Sequence, residues 1–134
     1  MSAHEIVTAP GLAAPVGGGH AVVAAPGRVV HLGGQTATDA EGRITGKGIV
    51  EQFDVAAANV VAALRAAGCQ PEHLVSMQVF VTDLREYRFR LGELGPVWQA
   101  HFGDHSPAMG LFGVTELYDD AAQVELMAVA VRPD

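Results

Sequence analysis

The chain has 134 residues and a net charge of −7; 49% of its residues are hydrophobic, 17% are charged, and it holds a single cysteine. That length fits one domain, residues 1–134, with a core of its own. The acidic balance and scattered basic residues argue against a nucleic-acid face, Cys69 has no partner for an internal disulfide, and no apolar run approaches a membrane span. A cytoplasmic protein is expected. Its apolar fraction fits either ordinary Ala/Val packing or a subunit interface.

Residues 1–15 lack the basic start and apolar core of a signal peptide and read as an extended N-terminal segment. The Pro/Gly-rich stretch from Ala9 to Gly17-Gly18-Gly19 cannot hold a stable helix. Two β-type runs follow, His20 to Ala25 and Arg28 to Leu32, and Pro26-Gly27 between them predicts a hairpin. From Ile49 to Ala67, Val50, Phe53, Ala57, Val60 or Val61, and Leu64 recur at helical spacing, with Gly68 and Pro71 as stop signals. Leu74 to Val81 alternates as a strand, with Val75, Met77, Val79 and Val81 assigned to the core. Asp83 is a candidate N-cap for a second helix, Arg85 to Phe102. Gly92, Gly95 and Pro96 weaken it and suggest that its firm part opens at Pro96. Two last strands are expected at Met109 to Thr115 and Gln123 to Val131. The order β-β-α-β-α-β-β predicts an α+β fold, a mixed sheet with two helices packed on one face.

Few residues suggest chemistry. His101 and His105 are separated by Gly103-Asp104, and no metal-binding motif occurs, so no metal is expected. The glycine pairs fit no phosphate-loop spacing; they mark turns or places where a ligand or backbone comes close. Ser2, Ser76 and Ser106 lack a nucleophile motif, and Cys69, at a helix end, reads as structural. Glu125 stands apart, a carboxylate inside the apolar run Val124 to Val131. It is either paired with a basic residue at a subunit interface or kept to hold a proton or position a water. Glu116 is the weaker, more exposed candidate.

Gly33-Gly34-Gln35, Gln52, Ala67-Gly68, Val81-Thr82-Asp83, Phe102-Gly103, Pro107-Ala108, Gly113-Val114 and Val124-Glu125, in this order and spacing, resemble the RidA (YjgF) family of enamine/imine deaminases over about residues 15–131. The resemblance implies a chorismate-mutase-like fold, a homotrimer with ligand clefts between subunits, a small-molecule substrate, and hydrolysis of imines without metal or organic cofactor. It also implies that an Arg after Pro-Ala clamps a substrate carboxylate and that Glu125 orients the attacking water. Here the Arg position holds Met109, the next residue is Gly110, the family's helical Asn falls at Gly95, and its aromatic near the N-terminus falls near Gly19, beside His20.

Losing a charged contact costs roughly 1.5–3 kcal/mol per bond, so ordinary 2-imino acids are expected to be poor substrates. The expected cleft is lined by Gly34, Gln35, Met109, Gly110, Leu111 and Phe112, with Trp98 or Tyr87 from the second helix. Backbone N–H groups near Gly34 or Gly110 are candidates for stabilising developing negative charge. The alternative is a non-catalytic small-molecule-binding or accessory trimer.

Overall fold

The computed structural model describes residues 4–15 and 18–134. Ser2 and Gly17, both singled out above, lie outside the described residues. The strands are β1 (Glu5–Val7), β2 (Ala21–Val23), β3 (Arg28–His31), β4 (Leu74–Val81), β5 (Ala108–Gly113) and β6 (Val124–Arg132). The helices are α1 (Ile49–Ala66), α2 (Leu84–Phe89) and α3 (Leu91–Phe102). The main sheet runs β3-β6-β4-β5, parallel only between β4 and β5, and β1 pairs with β2 in a small separate sheet.

Helix α1 follows the apolar spacing. Phe53, Ala57, Val60, Val61 and Leu64 are buried against the sheet, and Gly68 beyond its end takes a left-handed φ of 79°. Opposite them, β6 contributes Val124, Leu126, Ala128 and Ala130, all buried. Cys69 is fully buried, and desolvation pushes its thiol pKa up while nearby Arg132 opposes the shift.

Four expectations change. The hairpin at Pro26-Gly27 does not form: β2 pairs with β1, a strand absent from the sequence reading, and β3 pairs with β6. The turn signal is local, whereas β3 buries its pairing edge against a distant strand. The second helix is two helices meeting at Arg90, whose guanidinium bridges Glu86 at 2.8 Å and Glu93 at 2.9 Å across the joint. Pro96 lies inside α3 rather than opening it, because buried Leu94 anchors the preceding turn. In β4 the core residue at the start is Leu74, not Val75, because the register against β6 shifts between Leu74 and Ser76. β5 and β6 lie within two residues of their expected bounds.

Two histidines tie down the N-terminal region. His20 accepts from the Ala9 N–H at Nδ1 (2.9 Å) and donates from Nε2 to the Ala13 carbonyl (2.8 Å). His4, buried, joins Ala25 to the His73 carbonyl in the same way.

Candidate active site

Sheet parity sorts the expected site residues into two groups. Along β5, Met109 stands opposite Met77 and Leu111 opposite Val79, so both lie on the helix-covered side of the sheet. β5 is an edge strand, and beyond it α2 and α3 leave a cavity of about 580 Å³. Its floor is Phe53 and Val79; Met109, Gly110 and Leu111 form the strand wall, and Tyr87, Leu91, Leu94 and Trp98 the helical wall. These last four recur at helical spacing across the α2–α3 joint. The sequence reading found Tyr87 and Trp98 but missed Leu91 and Leu94, because the pattern was broken at the glycines.

The pocket is apolar and its aromatic wall is fixed. Trp98 packs on Phe102 at 4.4 Å between centroids and donates its indole N–H to the His105 carbonyl at 3.3 Å. Tyr87 lies 6.4 Å from the Phe53 ring. Burial raises the Tyr87 pKa, so the phenol stays protonated and offers a donor. A Cβ on Gly95 would meet nothing within 4 Å, so that side of the pocket is open. Arg88 and Ser106 complete the lining, which includes no carboxylate; neither residue was singled out from sequence for binding.

Glu125 lies on the opposite, uncovered side. It pairs across β4 with Phe80, and Phe80 stacks on Phe112 at 5.6 Å. The register slips by one residue between His31, opposite Val129, and Gln35, opposite Leu126. Gly33 and Gly34 form a bulge there. The bulge brings Gly34 under Glu125: a Cβ on Gly34 would collide with Oε2 of the carboxylate. Glu125 is half-buried and has no hydrogen-bond or ion-pair partner among the described residues. Gln35 turns its amide onto the Gly33 carbonyl at 3.3 Å, and Glu116 is exposed in the loop after β5.

One subunit therefore does not unite the expected cleft. Met109, Gly110, Leu111, Trp98 and Tyr87 line one pocket; Glu125, Gly34 and Phe112 belong to the other face. That face is apolar and open, with Phe112 47%, Met127 50% and Val29 59% exposed. The histidines considered as metal ligands each have a protein partner, His101 with Asp54 at 2.6 Å and His105 with the Leu74 carbonyl at 2.8 Å.

A family model described as Endoribonuclease L-PSP matches residues 13–132. The chain belongs to this family, that of the YjgF/RidA proteins. It is 36% identical over 93 residues to a RutC family protein of Aquifex aeolicus, covering 66% of this chain and 70% of that one. It is 27% identical over 93 residues to the 2-iminobutanoate/2-iminopropanoate deaminase of Mus musculus, covering 69% of this chain and 65% of that protein's length. Among solved structures, the Yersinia pestis Rid-family protein YyfB, of unknown function, superposes with a TM-score of 0.84 at 25% identity, covering 96% and 98% of the two chains. Escherichia coli TdcF with bound serine superposes with a TM-score of 0.68 at 27% identity, covering 95% and 97%. The chorismate-mutase-like α+β fold expected from the sequence is that of these RidA-family neighbours. No described helix is long and apolar enough to cross a membrane.

Proposed function

We propose that this RidA-family chain is a hydrolase of small enamines or imines, or related reactive metabolites, assembled as a homotrimer. The observation that carries this reading is the unpartnered Glu125 carboxylate held over Gly34 on an open apolar sheet face. Burial of that face against further copies removes its apolar side chains from water. It also lets Glu125 of one subunit complete the Met109–Leu111 pocket of the next. Curated relatives named as imine deaminases support the reaction class.

In this scheme Glu125 takes a proton from water as the oxygen adds to the C=N carbon and passes it to nitrogen, giving a carbinolamine. It then takes the hydroxyl proton and passes it to the amine, so that the C–N bond breaks, ammonia leaves and a carbonyl compound remains. The chain's own residues supply proton transfer and positioning. Nucleic acid is not the expected partner of a chain with net charge −7.

The strand wall offers no cation, because Met109 stands where the resemblance places the carboxylate-binding Arg. The test is ammonia release from freshly generated 2-iminopropanoate and 2-iminobutanoate. Wild type is expected to be slow and Met109→Arg to gain about tenfold or more in kcat/KM, the value of a restored charged hydrogen bond. Rapid turnover by wild type refutes the argument from Met109. Activity in neither protein favours the second reading, a non-catalytic small-molecule-binding trimer, which the apolar pocket also fits.

A further inference from the structure

Within one subunit, Arg88 is the only cation among the described residues that line the α2–α3 pocket, and that lining holds no acid. Neighbouring Arg90 is consumed by Glu86 and Glu93, whereas Arg88 has no hydrogen-bond or ion-pair partner among the described residues. The Tyr87 and Ser106 hydroxyls on the same lining also have no side-chain hydrogen bond among the described residues. The pocket thus combines an apolar body site walled by Leu91, Leu94, Trp98 and Met109 with a free guanidinium and two free hydroxyls.

We propose that Arg88 is the anion anchor of this pocket. Its ligand is a small organic carboxylate whose body is an aromatic ring or a branched aliphatic chain. The inference rests on the reading that this pocket receives the substrate. It deepens that reading by moving the carboxylate grip from the strand wall, where Met109 stands, to the helical wall. A guanidinium recognises a carboxylate through paired N–H donors, and the rings and leucines reward an apolar body. An acid with a short side chain fills little of such a pocket, so specificity shifts towards larger acids.

The experiment titrates the full-length protein with 3-phenylpropanoate and 3-phenylpropanamide by calorimetry. The pair differs in charge and hardly at all in shape. Wild type is expected to bind the acid about tenfold more tightly than the amide, a discounted value for a charged contact made by an exposed Arg. Arg88→Gln should weaken the acid to the level of the amide and leave the amide unchanged. Arg85→Gln, an exposed cation one turn earlier that does not line the pocket, should preserve the preference. Gly95→Phe, placed in open space, should block both probes.

Equal binding of the two probes by wild type, no binding of the acid, or an equal loss of preference in Arg85→Gln overturns the role of Arg88. If Gly95→Phe leaves binding intact, the probes sit elsewhere. The pocket reading then fails as well, and the two failures are told apart.

Discussion

Glu125→Gln is expected to lower ammonia release by about 10²–10⁴-fold, the range for a general acid–base group, while binding of the uncharged probe 3-phenylpropanamide to the α2–α3 pocket is unchanged. The amide keeps the size and shape of the carboxylate over the Gly34 bulge but cannot take a proton from water. Glutamine has the size of glutamate, so the walls that Met109, α2 and α3 give to the pocket of the neighbouring subunit are left in place. Gly34→Ala should give a parallel loss by a different route, since the added Cβ collides with Glu125 Oε2 and pushes the carboxylate aside. Steady-state kinetics beside calorimetric binding separates chemistry from affinity. A Glu125→Gln protein that retains full turnover would remove the carboxylate from the mechanism.

Gln52→Leu is expected to lower the unfolding free energy by about 1–3 kcal/mol, the cost of losing the hydrogen bonds made by this buried side chain. Gln52 is 3% exposed. Its amide donates to the Ala121 carbonyl at 3.0 Å and reaches the Gly46 carbonyl at 3.4 Å, and its side-chain oxygen accepts from the Gln123 N–H at 2.8 Å. Leucine fills the volume and leaves the Ala121 and Gln123 groups unpaired. The loop that Gln52 holds leads directly into β6, two residues before Glu125, so lost stability should come with lost turnover. Urea unfolding is the check, with a lower midpoint and an unchanged slope. An unfolding free energy within about 0.5 kcal/mol of wild type would mean that the loop finds other partners.

Helix α1 and strand β4 were legible because their apolar residues repeat at their own period, 3.6 in Val50 to Leu64 and two in the later part of β4. The hairpin was misread because Pro26-Gly27 specifies a turn, not a partner, and β3 finds β6 a hundred residues away. β1 was hidden by its brevity beside a Pro/Gly-rich stretch. Glu125 stood out as a carboxylate among apolar neighbours, and Met109 through the resemblance. Their separation by the sheet depends on cross-strand register, which a single sequence does not reveal. Arg88 was invisible for a related reason: an exposed cation on a helix becomes notable only when the folded chain places it on an apolar cavity.

Subunit mixing tests the central claim most directly. Glu125→Gln carries an intact pocket without the carboxylate, and Gly95→Phe carries the carboxylate beside a blocked pocket. Each alone should be inactive on an imine that wild type hydrolyses. Unfolded and refolded together in equal amounts, they should recover roughly a quarter of wild-type ammonia release, the share of sites pairing an intact pocket with an intact Glu125 in a randomly mixed cyclic trimer. No recovery from a mixture shown to contain mixed trimers would contradict a site shared between subunits.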